Sequence, residues 1–291
     1  MPRANLSSPP ARADAGGASI RDCLRVARRQ LAASDGEYAL LAHTLAVSVA
    51  HLLAHPEAAV NAAQRSAFEA LVARRAAGEP LAYLTGWRDF WTLRLGVSPA
   101  VLIPRPETEL LVERALALGR ARDGLSVLDA GTGSGCIALA LASERPGWRI
   151  TACDASPAAL VLAEDNARHL GLNHIRWLRS DWFAALAGER FDLIVSNPPY
   201  VADGDPHLQG DGLPFEPQAA LVAGPEGLDA LRTIIAAAPA HLAPGGWLLL
   251  EHGHDQGAAV RALLAAAGLA AITTHRDLAG HERVSVAQYV P

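Results

Sequence analysis

Four consecutive residues, Asn197-Pro-Pro-Tyr200, carry the most specific chemistry in the chain. The two prolines fix the backbone and lack N–H donors, so the loop offers carbonyl oxygens outward as acceptors. Asn197 adds a side-chain oxygen to that set. A planar amide or amino nitrogen is a poor nucleophile because its lone pair is delocalised. If the Asn197 side-chain oxygen and the Pro198 carbonyl accept its two hydrogens, the lone pair is left aimed along one axis. Tyr200 can pack on the flat face of such a target, and Pro199 belongs to the same rigid lip. Asn197, Pro198 and Tyr200 are therefore the expected catalytic residues, and Asn197 to Tyr200 the expected substrate holders.

What that nitrogen would receive is indicated upstream. Val127-Leu-Asp-Ala-Gly-Thr-Gly-Ser-Gly135 runs from an apolar stretch into a glycine-rich turn. Glycines let the backbone pass close to a ligand, and the helix N-terminus that follows offers free N–H groups. The dinucleotide-binding fingerprint would have a third glycine where Cys136 stands, and a methionine carboxylate suits the turn better than a pyrophosphate. Asp154, 23 residues after Gly131, can accept from both ribose hydroxyls of a nucleoside. Asp181 and Trp182 follow the next apolar run, where an adenine would lie, and the indole can wall it. Gly131, Thr132, Gly133, Ser134, Gly135, Asp154, Asp181, Trp182 and Asn197 thus form the expected site for S-adenosyl-L-methionine. The reaction is then displacement at a sulfonium methyl. Each feature has a plainer reading: a tight connection for the glycines, a helix cap for Asp154.

These residues need elements that bring strand ends together. Short apolar runs at Leu125–Ala130, Arg149–Cys153, Ile175–Leu178, Phe191–Ser196 and Trp247–Glu251 read as strands. Helical patterns at Cys136–Ser143, Pro157–Leu170, Leu228–Leu242 and Gln256–Ala267 separate them, and two more strand-like runs follow at Ala270–Thr274 and Arg283–Val290. Alternation of this kind predicts an α/β, doubly wound sheet with its crevice at the carboxyl ends of the strands. Upstream, Leu24, Ala27, Leu31, Leu40, Leu41, Thr44, Leu45, Phe68, Leu71 and Val72 recur at helical spacing. That stretch predicts a small helical domain over 19–85, taken as the part that recognises the substrate. Residues 1–18 read as a loose tail, 86–104 as a β-hairpin linker with alternation at Phe90, Thr92 and Arg94, and 105–291 as the main domain.

Composition narrows the classes. At 291 residues, with 51% hydrophobic and 19% charged, the chain can bury a large core. No apolar run reaches the roughly 18 residues of a membrane span, and Met1 to Gly17 lack a signal-peptide core, so no membrane and a cytoplasmic location are expected. A net charge of -5 lacks the basic excess that holds proteins on nucleic acid, so no stable nucleic-acid binding is expected. Cys23, Cys136 and Cys153 are widely spaced and read as reduced structural thiols. His252 and His254 beside Glu251 read as structural rather than as metal ligands, and no metal is expected. Glu107, Thr108 and Glu109 open a helix, where acids are favoured, and can also line the crevice.

Several segments together resemble the protein-(glutamine-N5) methyltransferases that modify peptide chain release factors. They are Gly78-Glu-Pro-Leu-Ala-Tyr-Leu-Thr-Gly86, Asp89-Phe-Trp-Thr-Leu93, Leu102-Ile-Pro-Arg-Pro-Glu-Thr-Glu109, Asp181-Trp-Phe183, Ser196-Asn-Pro-Pro-Tyr200 and Leu250-Glu-His-Gly253. The resemblance runs from about Glu79 to the C-terminus. It implies a helical N-terminal domain joined by a β-hairpin to a seven-stranded Rossmann-like class I methyltransferase domain. It also implies that the partner is a class-1 release factor, methylated on the glutamine of its Gly-Gly-Gln loop. Asn-Pro-Pro-Tyr is shared with adenine-N6 methyltransferases, which remain the alternative; they would carry a basic target-reading domain, and the leading residues show no such patch. A nicotinamide oxidoreductase or a non-catalytic module is a more distant reading.

Overall fold

In the first unit, helix formation follows the apolar spacing. The computed structural model describes residues 18–31, 35–210 and 212–291, so the tail assigned to 1–18 lies, except for Ala18, outside the described residues. The chain divides into two compact units between Thr85 and Gly86. The first contains α1 (Ile20–Leu31), α2 (Glu37–Leu45), α3 (Val49–Ala54), α4 (Ala62–Ala76) and α5 (Leu81–Thr85). On α1 the buried residues Ile20, Cys23, Leu24, Ala27 and Leu31 form one stripe, packed in a core with Leu40, Leu41, Phe68 and Val72. A capping box starts α4: Asn61 Oδ1 accepts from the Gln64 N–H at 2.9 Å, and Gln64 Oε1 from the Asn61 N–H at 3.1 Å. Thr44, read as part of the apolar pattern, is only half-buried and returns its hydroxyl to the Leu40 carbonyl at 2.8 Å.

The second unit begins with a hairpin of β1 (Trp87–Phe90) and β2 (Leu93–Gly96). It turns at Trp91-Thr92 without a glycine or asparagine. Trp91 adopts a left-handed φ of 56°, held there because Glu109 Oε1 accepts its N–H at 2.8 Å and Glu144 Oε1 its indole N–H at 2.8 Å. Then follow α6 (Glu109–Leu118), β3 (Ser126–Ala130), α7 (Cys136–Glu144), β4 (Arg149–Asp154), α8 (Pro157–Leu170), β5 (Arg176–Arg179) and β6 (Phe191–Ser196). The chain closes with α9 (Asp229–His241), β7 (Leu242–Glu251), α10 (Gly257–Ala266), β8 (Ala270–Arg276) and β9 (Glu282–Gln288).

The seven long-domain strands form one sheet in the order β5-β4-β3-β6-β7-β9-β8. β3 to β7 pair in parallel and β9 runs antiparallel to both neighbours. This is the seven-stranded Rossmann-like α/β fold. Val127, Leu128, Leu193, Ile194 and Val195 are buried on both sheet faces, as parallel strands between helical layers require. The strand order reverses at β3 and β6, which opens a crevice at their carboxyl ends. β7 starts five residues before the apolar run Trp247–Glu251, with its register shifted opposite Phe191 and Leu193. A Cβ on Gly246 would stand 2.8 Å from the Ala243 carbonyl oxygen, so only glycine fits this irregular start. Among the described residues no helix is long and apolar enough to cross a membrane.

Candidate active site

The glycine turn leaves β3 with Gly131, Gly133 and Gly135 all at positive φ, at 76°, 56° and 83°. A Cβ on Gly131 would meet the Trp182 ring at 3.1 Å, so the missing side chain keeps the cavity floor open. Gly135 instead serves packing, because its Cβ would press on Leu139, Ala163 and Trp177. The amides of Gly131 and Thr132 both donate to the Cys153 carbonyl at 2.9 Å, and that of Gly133 to Asp154 Oδ2 at 2.9 Å. Three N–H groups of the turn are therefore spent on holding β4 against it. Beneath, the wholly buried Asp129 accepts from the Thr132 hydroxyl at 2.6 Å and the Ala138 N–H at 3.1 Å. Burial pushes its carboxyl up to about 7 against those hydrogen bonds.

Asp154 ends β4. Its Oδ1 accepts from the Ser156 N–H at 2.8 Å and its Oδ2 from Gly133, leaving further lone pairs for a ligand. The plain cap reading falls to its neighbour: Ser156 accepts from the Ala159 N–H and caps α8. Trp182 follows β5 in a left-handed conformation, φ 45°. The Ser180 hydroxyl secures it by donating to its carbonyl at 2.8 Å. A cavity of about 430 Å³ joins these groups, lined by Gly131, Thr132, Gly133, Ser134, Asp154, Asp181, Trp182, Asn197 and Pro199. That volume falls in the range of roughly 300–1,000 Å³ found for small-ligand sites. Gly135, Pro198 and Tyr200 do not line it.

Asn197 sits at the exit of β6 with its two amide ends in different settings. Nδ2 donates to Thr108 Oγ1 at 3.1 Å, while Oδ1 is buried without a hydrogen-bond partner. A buried unpaired acceptor is costly unless a ligand satisfies it. Pro198 is buried and Tyr200 half-buried. The Tyr200 hydroxyl donates to Glu251 Oε1 at 3.4 Å, and Gln256 Nε2 donates to its carbonyl at 3.0 Å. Burial and the Glu251 charge push the Tyr200 phenol well up, so it stays neutral.

Sequence reasoning missed a second group of residues. Glu216 is buried, accepts from the Ile103 N–H at 3.0 Å and pairs with Arg105. It ties the loop after Tyr200, whose Pro217, Ala219 and Ala220 line the cavity, to the segment before α6. The only trace in sequence was Glu216-Pro217 within a loop of glycines and prolines. Of Glu107, Thr108 and Glu109, Thr108 lines the cavity, and Glu109 holds Trp91. His252 is buried between the Gly253 carbonyl at 2.8 Å and the Ser285 hydroxyl at 2.9 Å, and burial lowers its pKa. Among the described residues no group of three or more His, Cys, Asp or Glu could hold a metal. The three cysteines are free and buried, and burial pushes Cys136 and Cys153 up to about 12.

Known proteins resemble this chain. The methyltransferase small domain matches residues 106–209 and the PrmC N-terminal domain residues 18–86. A release factor glutamine methyltransferase of Xylella fastidiosa is 54% identical over 263 residues, covering 90% of this chain and 95% of that protein. The release factor glutamine methyltransferase of Escherichia coli is 49% identical over 271 residues, covering 91% and 97%. Among solved structures, a 16S rRNA methyltransferase of T. thermophilus in complex with AdoMet and guanosine aligns with TM-score 0.53 at 24% identity, over 69% of this chain and 50% of that one. That last likeness speaks to the fold alone.

Proposed function

Since the chain belongs to the release factor glutamine methyltransferase family, we propose that it methylates the side-chain amide nitrogen, N5, of the glutamine in the Gly-Gly-Gln motif of class-1 peptide chain release factors, with S-adenosyl-L-methionine as donor, in the cytoplasm. The observation that carries this reading is the Asn197 amide, with Nδ2 tied to Thr108 and a buried, unpartnered Oδ1 beside the cavity. The donor supplies an electrophilic methyl on a positively charged sulfur. Asp154 uses its remaining lone pairs to grip the ribose, and Trp182 walls the adenine. Ser134 also lines the cavity.

Asn197 Oδ1 accepts one hydrogen of the glutamine NH2 and the Pro198 carbonyl the other, so the nitrogen lone pair points along the transfer axis. Holding nitrogen and methyl about 3–3.5 Å apart supplies much of the rate by proximity. The N–C bond forms as the C–S bond breaks with its electron pair kept by sulfur, and the nitrogen sheds one proton to water. A glutamate in the same place has no N–H to offer and is refused. The helical unit is the recognition module for the protein substrate. A chain of net charge -5 suits such a partner better than a phosphate backbone.

The test supplies methyl-labelled donor with, in separate reactions, a release factor, its Gly-Gly-Gln variant with Gln→Ala, and DNA. Label is expected on the first alone. Label on DNA with none on the release factor would overturn the reading in favour of an adenine-N6 enzyme.

A further inference from the structure

The two prolines of Asn197-Pro-Pro-Tyr200 carry no N–H, so main-chain donors exist only at the two ends of the loop, and the loop must be held from there. Its entry is fixed from β3 and from the chain before α6. The Ser196 hydroxyl donates to the Ala130 carbonyl at 2.6 Å, and Asn197 Nδ2 to Thr108 Oγ1 at 3.1 Å. At the exit, the N–H groups of Tyr200 and Val201 both donate to the Leu221 carbonyl, at 3.2 and 2.8 Å. Leu221 lies in the same connection between β6 and α9, so those two bonds close the connection on itself.

The tie from the Tyr200 main chain to the end of β7 runs through Gln256. This half-buried residue stands at the N-cap of α10, yet its side chain does not cap the helix. Glutamine is not a favoured N-cap residue. Its amide is spent elsewhere. Nε2 donates to the Tyr200 carbonyl at 3.0 Å, with the Gly227 and Glu226 carbonyls at 3.2 and 3.3 Å, and Oε1 accepts from the Gly253 N–H at 2.8 Å. Gly253 ends the run Leu250-Glu-His-Gly253, and a Cβ there would stand 3.0 Å from Gln256 Oε1. Gly227 packs against the same Tyr200 carbonyl: its φ is 67°, and a Cβ on it would overlap that oxygen.

Resting on the function proposed above, we infer that Gln256 is a positioning residue for methyl transfer: by holding the Tyr200 carbonyl to the end of β7, it sets where the Asn-Pro-Pro-Tyr loop presents the glutamine amide. Proline rings leave the loop little freedom to absorb a shift at one end, so a displaced Tyr200 carries Pro198 and the acceptor with it. A misplacement of about 1 Å costs on the order of 100-fold in rate. Asp154 and Trp182, assigned to the donor, stand on other strand ends and are untouched. The plainer role for the same amide is to brace the turn between β7 and α10 through Gly253. Its two ends separate the roles, since one donates to Tyr200 and the other accepts from Gly253.

The test uses the full chain, a release factor substrate and labelled donor. Gln256→Glu keeps an acceptor for Gly253 and turns a second acceptor toward the carbonyls; Gln256→Lys keeps donors for the carbonyls and loses the acceptor. Gln256→Glu is expected to lower kcat on the order of 100-fold, with release factor KM and donor Kd within about threefold. Gln256→Lys is expected to stay within about tenfold of the parent kcat. Gly227→Ala, which displaces the same carbonyl, is expected to lower kcat as well and to add little to Gln256→Glu in the double variant. Retained kcat in Gln256→Glu, or an equal fall in Gln256→Lys, would overturn the inference in favour of the brace. A donor Kd that rises in step with the lost kcat in both Gln256→Glu and Gly227→Ala would overturn it too, and an unchanged Kd reports that the variants fold. A wild-type enzyme that leaves the release factor unlabelled fails the functional reading and this inference together, whereas a labelling wild type with equal Glu and Lys variants fails the inference alone.

Discussion

Asn197 and Asp154 both line one cavity, and their replacements should separate transfer from binding. Asn197→Ala removes the acceptor while the glycine turn and Asp154 stay in place. Turnover is expected to fall about 10²–10³-fold, with donor affinity retained; label transfer measured beside equilibrium binding checks this, and unchanged transfer would refute the role of Asn197. Asp154→Ala should act the other way, raising the donor Kd roughly tenfold or more through lost charge-assisted hydrogen bonds. An unaltered Kd would remove the ribose assignment. That Gly131, Asp154, Trp182 and Asn197 would line one crevice was legible in the sequence, because each follows or ends a strand where local order places it. The partners of Thr108 and Glu251 were not, because they meet Asn197 and Tyr200 only across 89 and 51 residues of chain.

At the scale of elements, one buried side chain connects three of them. Asn166 on α8 accepts from the Gly96 N–H at 2.7 Å and donates to the Gly96 carbonyl at 3.0 Å and the Ser134 carbonyl at 2.9 Å. The hairpin strand β2 is thereby latched to the glycine turn through a helix behind it. Asn166→Ala would leave those backbone groups unpaired in the interior. A loss of about 1–3 kcal/mol in unfolding free energy is expected, read by denaturant titration, together with a higher donor Kd because the turn loosens. A variant as stable as the parent would show the latch to be idle. Periodicity foresaw α8 with its bounds Pro157–Leu170 and β6 as Phe191–Ser196, since both begin or end at strong local signals. It gave only the second half of β7, because Leu242–Gly246 pairs through an irregular, glycine-dependent register that carries no alternation.

At the scale of the molecule, each unit has a core of its own, one around Leu40 and Phe68, the others on the two faces of the sheet. A chain limited to Gly86–Pro291 is expected to bind the donor with near-parental Kd and to lose transfer to the release factor, measured by calorimetry and label transfer. Full activity of that fragment would end the recognition role of the helices. The sequence by itself determined the class of fold, since alternating strands and helices with both-face burial admit a doubly wound sheet. It also exposed the glycine turn and the Asn-Pro-Pro-Tyr loop to which donor and acceptor binding are assigned by proposal, because each is a run of contiguous residues. Only the tertiary structure decided which amides of the turn remain free, that Glu216 ties the loop after Tyr200 to the chain before α6, and that Asn197 Nδ2 is tied to Thr108. Those outcomes depend on hydrogen bonds between groups far apart in the chain, and no local pattern encodes a partner that arrives only when the sheet has formed.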